Sequence, residues 1–495
     1  MYANNTVMSL FQFAPKLLRN ISQFYLPSDT LTDFPLKQGY PTVLVLGQIC
    51  KAWREFVLSA PDLWSSLRIE FPQDLDEVEV VRLTSLVTLW MERSGVHDLT
   101  IHIIIYPAFS VGIDNPIHSC SADVQMVFAP LLVNSHRWQD IHIDMTFLAL
   151  RGLIEENAPL SMLSAPRLTS LEIEGEVSGT EDFDDTLEIP SPPIIKFSAA
   201  PSLRRVVLSE IGLLAAHSSA LPWQGIEELA LSGVYHDLSF EDCATVLHQC
   251  IALKRCRLST SFTTRVERAF EQIVRPIMLH SLESLEITEH SPPDGGSGEV
   301  YRYMICMELS ELTIRYVLRD FLGFHRNTSY WTRDAIMTLT DMSCQVTKFE
   351  LWSPPMDESC LIEVLNSMPQ LTHLTVISWR PFHCVGDHFL HELSQKSTSG
   401  DLKMLKDLEC LRLESHACSE TYLIAFIKSR WNATTNQLKY ISLDLVGTVA
   451  AGRLQSRVHD CLEEGLKLDI SERQDLFVSL LSWGSYSFAS VEWRI

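Results

Sequence analysis

A short pattern, apolar-x-x-apolar-x-apolar, returns ten times between residues 168 and 438 and constrains this chain more than any other feature. It begins as Leu168-Leu171-Ile173, Leu203-Val206-Leu208 and Ile226-Leu229-Leu231. It continues through Leu253-Cys256-Leu258, Leu282-Leu285-Ile287, Leu309-Leu312-Ile314 and Val346-Phe349-Leu351, then Leu371-Leu374-Val376, Leu408-Leu411-Leu413 and Leu438-Ile441-Leu443. The mean step is 30 residues. Alternation within each copy fits a short strand with one buried face. A unit this small cannot bury its own apolar face, so successive units must stack. A stacked array presents an extended surface rather than a pocket, which points to binding rather than catalysis.

Helical patterns fill the gaps between copies. Ser239-Phe-Glu-Asp242 reads as a capping box, with Val246, Leu247, Cys250 and Ile251 facing inward. Asp357 precedes Leu361, Val364, Leu365 and Met368, and Pro369 ends that helix. Ser419 precedes Leu423, Phe426, Ile427 and Trp431. One strand and one helix per unit, at intervals of 23 to 37 residues, predict an α/β leucine-rich-repeat solenoid over 166–453, a horseshoe with parallel strands on its concave side. Residues 454–495 are expected to cap its open end. Residues 71–165 read as transitional, irregular repeats. They hold a helix over Val80–Glu92 with Leu83, Val87, Trp90 and Met91 on one side, a strand at Asp98–Ile103, and the match Trp138-Ile141-Ile143.

Charge and cysteine usage narrow the functional classes. The 495 residues carry a net charge of −23; residues 1–60 hold +2 of charge and the rest −25. Such a body repels phosphate backbones, so neither nucleic acid nor an anionic membrane is an expected partner. The longest apolar run, Leu99 to Ile113, is broken by His102 and Pro107, and no signal peptide is read at the N-terminus. Twelve scattered cysteines without a Cys-x-x-Cys pair suggest reduced thiols and a cytoplasmic or nuclear protein.

The first seventy residues have another character. Phe13-Ala-Pro15-Lys-Leu17-Leu18 opens a helix that carries Leu17, Leu18, Ile21, Phe24 and Tyr25 at helical spacing and stops at Leu26-Pro27-Ser-Asp29. A loop over 28–42 leads to a second helix, Val43–Leu58, with Leu46, Ile49, Cys50, Trp53 and Val57 on one stripe. The segment Leu46-Gly-Gln-Ile49-Cys50-Lys-Ala-Trp53-Arg54, followed by Ala60-Pro61-Asp62-Leu63-Trp64-Ser-Ser-Leu67, resembles the second half of an F-box as found in fungal F-box proteins. Residues Phe13 to Pro27 are similar to its first half, with Phe13-Ala14 where the pattern has Leu-Pro and Lys16 where it has Glu. The resemblance covers residues 11–70 and implies a small helical domain ahead of the repeats. It further implies a substrate-recognition subunit of a cullin–RING (SCF-type) ubiquitin ligase, non-catalytic in itself. The matching positions for the adaptor contact are Pro15, Leu17, Leu18, Ile21, Leu26, Pro27, Leu46, Ile49, Cys50 and Trp53. The departures at Phe13, Ala14 and Lys16 support a second reading, a repeat scaffold whose F-box is degenerate and has no ligase role.

On the repeat strands, residues flanking the middle apolar position must point away from the core. Glu172, Arg205, Glu228, Arg255, Arg257, Glu286, Glu311, Lys348, Glu350, His373, Arg412 and Tyr440 occupy such places, with Trp352 and Trp379 just beyond two strands. Arg, Tyr and Trp are the usual anchors of protein recognition. Arg205, Glu228, Arg255, Arg257, Lys348, Trp352, Trp379, Arg412 and Tyr440 are therefore the expected contacts to a target protein whose identity the chain does not reveal. The acidic run Glu181-Asp182-Phe183-Asp184-Asp185 reads as a solvated loop. The cluster His383-Cys384-x-x-Asp387-His388-x-x-His391-Glu392 lacks His-Glu-x-x-His and reads as surface histidines, the alternative being a zinc site through His388 and His391, which are spaced to share a helix face. Pro293-Asp-Gly-Gly-Ser-Gly298 lacks the Gly-Lys-Ser/Thr of a phosphate loop. No metal, cofactor or catalytic residue is expected.

Overall fold

The computed structural model describes residues 43–71, 76–105, 117–146, 164–176, 199–209, 221–233, 240–261, 276–291, 304–318, 331, 333–342, 344–378, 384–398, 400–415, 418–432, 438–446 and 451–473. The chain divides between Leu253 and Lys254 into two compact units. In the first, six parallel strands neighbour one another in chain order: β1 (Ser66–Phe71), β2 (Leu99–Ile105), β3 (Trp138–Thr146), β4 (Ser170–Glu176), β5 (Arg205–Ser209) and β6 (Glu228–Ser232). In the second, eight parallel strands do the same: β7 (Arg255–Ser261), β9 (Ser284–Ser291), β11 (Glu311–Leu318), β12 (Lys348–Trp352), β13 (His373–Ile377), β14 (Cys410–Ser415), β15 (Tyr440–Val446) and β16 (Lys467–Arg473). Two shorter strands, β8 (Ile277–Met278) and β10 (Met304–Ile305), pair separately.

Each copy of the sequence pattern is one of these strands, and the copies lie in register. Leu312 faces Leu285 and Phe349, and Leu374 faces Leu411, so identical pattern positions stack strand upon strand. The first and middle apolar positions are closed to solvent: Leu203 and Leu371 at the first, and Leu171 and Leu411 at the middle, are each 0% exposed. Burial of one such side chain contributes roughly 1.5–3 kcal/mol. A tight turn leads into several of the strands. The amides of Leu168, Leu203, Leu371 and Leu408 donate to the carbonyls of Ala165, Ala200, Met368 and Leu405, three residues earlier.

The residue just ahead of each strand ties its unit to the one before. The amide of Thr347 donates to Ser310 O at 2.8 Å, that of Thr372 to Thr347 O at 2.9 Å, and that of Glu409 to Thr372 O at 2.8 Å. Hydroxyls double the same link: Thr347 Oγ1 donates to Ser310 O at 3.2 Å and Thr372 Oγ1 to Thr347 O at 3.0 Å. Satisfying the backbone at a strand entry from both main chain and side chain removes polar groups that stacking would otherwise leave buried and unpaired.

Helices occupy the returns where the pattern places them. Glu77–Arg93 buries Val80, Leu83, Val87, Trp90 and Met91, with Asp76 capping through Glu79 N at 2.7 Å. Glu358–Asn366 buries Leu361, Val364 and Leu365, capped by Asp357 on Cys360 N at 2.8 Å. Glu420–Trp431 buries Leu423, Phe426, Ile427 and Trp431 as expected, and Arg430 as well.

Four expectations change. The single helix expected over Val43–Leu58 is two, Val43–Ile49 and Lys51–Ser59, because Cys50 is extended (φ −165°, ψ 172°). Gly47 and the β-branched Ile49 weaken the first helix near its end, and the break turns Phe56 inward beside Trp53 and Val57. Ile251 does not face inward but is 70% exposed, because its helix, Phe240–Leu247, ends early and a turn at Cys250 swings it out. The described part of the expected cap adds two short helices, Ala451–Arg457 and His459–Glu463, and one more parallel strand, β16. The segment 71–165, expected to be irregular, supplies β2 and β3 in the same register as their neighbours apart from one bulge near Leu99.

Candidate functional site

Strand alternation puts a polar row beside every buried row. In the first unit one such row runs Arg68, His102, His142 and Glu172 across β1 to β4, each opposite the next. Two positions further along lie Glu70, Asp144 and Glu174. Arg68 Nη2 is 2.9 Å from Glu70 Oε1, and Arg205 Nη1 donates to Glu172 Oε2 at 2.9 Å. Between these pairs the rings of His102 and His142 stack, with centroids 4.0 Å apart and planes 19° from parallel.

Burial dominates the electrostatics here. It pushes His102 down to about 3, helped by His142 and the Arg68 guanidinium, so its imidazole is neutral at physiological pH. Burial likewise lowers His142. It pushes Glu174 up to about 7, and the nearby carboxylates of Glu172 and Asp144 act in the same direction. One ligand atom from each of His142, Glu172 and Glu174 lies within 4.8 Å of the others, the one such grouping among the described residues.

In the second unit a different network crosses four strands. Arg257 Nε on β7 donates to Glu286 Oε2 on β9 at 2.8 Å, and Glu286 Oε1 is 3.2 Å from Arg315 Nη1 on β11. The Arg315 guanidinium lies 5.0 Å from the ring centroid of Trp352 on β12, whose Nε1 donates to Glu350 Oε1 at 2.7 Å. An arginine stacked on tryptophan, held by carboxylates on both sides, is a preorganised apolar-and-charged patch of the kind that anchors protein contacts.

The helices over 43–64 are joined to the ladder. Trp64 Nε1 donates to Val57 O at 2.9 Å, and the Trp64 ring meets Trp90 edge-on at 4.6 Å. Arg54 Nε donates to Gly47 O at 3.0 Å, bracing one helix on the other. Leu46 and Trp53 are buried, Cys50 is half-buried, and Ile49 is 58% exposed; Val45 and Leu58 are also exposed.

Of the residues expected to meet an adaptor, Pro15, Leu17, Leu18, Ile21, Leu26 and Pro27 lie outside the described residues. Of those expected to meet a target, Arg257 and Trp352 are brought together through Glu286 and Arg315. Arg205 sits between Glu172 and Glu228, and Lys348 pairs with Glu311. Arg255, Arg412 and Tyr440 are exposed on their strands, and Trp379 lies outside the described residues. Also outside lie His383, the acidic run 181–185 and the glycine-rich 293–298. His388 and His391 are exposed on the helix Asp387–Ser394, with His391 Nε2 held by Gln395 at 2.6 Å. Sequence reasoning missed His102, His142, Glu174 and Arg315. Carrying the alternation three residues past each middle position, and back to the strands before residue 168, finds all four.

Seven of the described thiols, at Cys243, Cys250, Cys256, Cys306, Cys384, Cys418 and Cys461, are buried and serve as core. Burial pushes Cys250, Cys306 and Cys384 up to about 12, far from the range of a neutral-pH nucleophile. No described helix is long and apolar enough to cross a membrane. No protein-family model matches the chain, and no curated protein matches it either.

Proposed function

We propose that this chain is a non-catalytic substrate receptor of a cullin–RING ubiquitin ligase. On this reading the F-box-like helices dock the ligase adaptor and the polar face of the repeat strands holds a target protein in the cytoplasm or nucleus. The observation that carries the reading is the junction at Trp64. There the helices that match the second half of an F-box pack through Trp64 onto Trp90 while leaving Val45, Ile49 and Leu58 facing out. A rigid joint between an apolar docking face and a repeat ladder is what positioning requires, because it raises the effective concentration of target lysines near the ubiquitin carrier. The Arg315–Trp352 patch supports the target-holding half of the proposal. The charge at Lys16 and the Phe13-Ala14 departure favour a second reading, a repeat scaffold that binds a partner without any ligase.

The test is co-purification with the adaptor, comparing the wild type with Leu17→Asp and Trp53→Ala. The receptor reading expects capture of the wild type and loss in both variants. An adaptor that ignores the wild-type chain leaves the scaffold reading in its place.

A further inference from the structure

We infer that His142, Glu172 and Glu174 form a binding site for a divalent transition-metal ion of the zinc class on the polar face of the first unit. The backbone builds the site. His142 on β3 stands directly opposite Glu172 on β4, and Glu174 follows two residues later on the same face. His142 Nε2 is 3.9 Å from Glu174 Oε2, and one donor atom of each residue falls within 4.8 Å of the other two. Donors about 2 Å from a common ion stand roughly 2.8–3.4 Å apart at octahedral or tetrahedral angles, so rotation of the two glutamate side chains has to draw the three donors together to close the site.

Three further features fit the same ion. His142 Nε2 is shut off from solvent and makes no hydrogen bond among the described residues. A shielded imidazole nitrogen without a partner costs free energy that a metal bond recovers. The ring is already oriented, because His102 stacks on it at 4.0 Å. Arg205 donates to one oxygen of Glu172 at 2.9 Å, which fixes that carboxylate from behind as outer partners do in metal sites. One imidazole with two carboxylates suits zinc or its neighbours better than calcium or magnesium, which take oxygen ligands. Three protein ligands leave a position for water or for a side chain of a bound partner.

The inference does not rest on the receptor reading, since adaptor capture makes no use of β3 or β4. Its test is equilibrium dialysis of the full chain, stripped with chelator, against zinc chloride at pH 7.5 with excess magnesium. The wild type should bind one equivalent and show a higher thermal midpoint with zinc. His142→Ala and Glu174→Gln, each confirmed folded by circular dichroism, should bind at least about tenfold more weakly and lose the thermal shift. His388→Ala, on the exposed histidine helix, should match the wild type. Absence of saturable zinc binding by the wild type overturns the site. So does binding that survives both site substitutions, or that disappears with His388→Ala. If one site variant fails to fold, the wild-type stoichiometry and the other variant still decide.

Discussion

Arg430 Nη1 donates to the carbonyl oxygen of Leu405 at 2.6 Å, deep in the second unit. The same guanidinium reaches Met404 O at 3.0 Å and Leu393 O at 2.9 Å. Leu405 itself has φ of 48°, a left-handed backbone that a branched side chain resists. One buried arginine thus ties the strained turn at Met404 and Leu405 to the end of the helix Asp387–Ser394. Burial lowers it to about 10, still charged at neutral pH. Arg430→Met should lower stability by about 3 kcal/mol, and Arg430→Lys should rescue little, because an ammonium cannot match the fork. Denaturant melts of both variants check this; a lysine variant as stable as the wild type would show that charge alone suffices.

Neighbouring residues on one strand should behave in opposite ways. Leu411 is 0% exposed, while Arg412 beside it is exposed. Leu411→Ala should cost about 2–5 kcal/mol, and Arg412→Ala no more than about 0.5 kcal/mol. Equal shifts in urea midpoint for the two would contradict the assigned register.

The histidine–glutamate face should give a pH signature made of opposing slopes. The folded pKa of His102 is about 3, below its ordinary 6.5, so the unfolded chain binds more protons between those values. Its share of stability is complete above pH 6.5 and is lost as pH falls toward 3. Glu174, held at about 7 against an ordinary 4.5, does the reverse: its share is complete below pH 4.5 and is lost as pH rises through 7. The slopes oppose each other between pH 4.5 and 6.5. Glu174→Gln should therefore steepen the acid loss of thermal stability in that window, and His102→Asn should flatten it. Curves parallel to the wild type would rule out both shifts.

Exposure separates folding from docking at the N-terminal helices. Ile49 is 58% exposed and Leu46 2%. Ile49→Asp should abolish adaptor capture with a thermal midpoint close to the wild type. Leu46→Asp should lower the midpoint itself, since it buries a charge among Val43, Trp53 and Val57. Retention of the adaptor by folded Ile49→Asp would exclude this face as the dock.

The Arg315–Trp352 patch gives the corresponding test for target binding. Arg315→Ala removes the cation over the Trp352 ring and one partner of Glu286. Once a target is in hand, this change should weaken its binding by about 1–2 kcal/mol, read by calorimetry, with little change in thermal stability. Undiminished affinity would place the target elsewhere.

The ladder was legible because its signal is periodic: Leu285, Leu312 and Phe349 occupy the same place in successive copies and meet in space. Helices with long apolar stripes and an acidic cap, such as Glu358–Asn366, were legible for the same reason. What escaped depends on cross-strand neighbours that no local pattern encodes. Arg430 reads as the charged last turn of a helix, yet two carbonyls of a distant turn and one of the helix Asp387–Ser394 draw it inside. Glu172 and Arg205 stood out as outward charges, but their engagement with each other follows from register alone. His102 and His142 lie forty positions apart and become partners only when β2 and β3 align. The break at Cys50 was hidden because its neighbours keep helical spacing on both sides.

Hydrogen–deuterium exchange of the full chain, alone and with purified ligase adaptor, bears most directly on the receptor proposal. The account expects new protection concentrated in residues 43–64 and in the segment before them, with the amides of β9 to β15 unchanged. Exchange that is identical with and without adaptor, or protection that falls on the repeat strands instead, would contradict it.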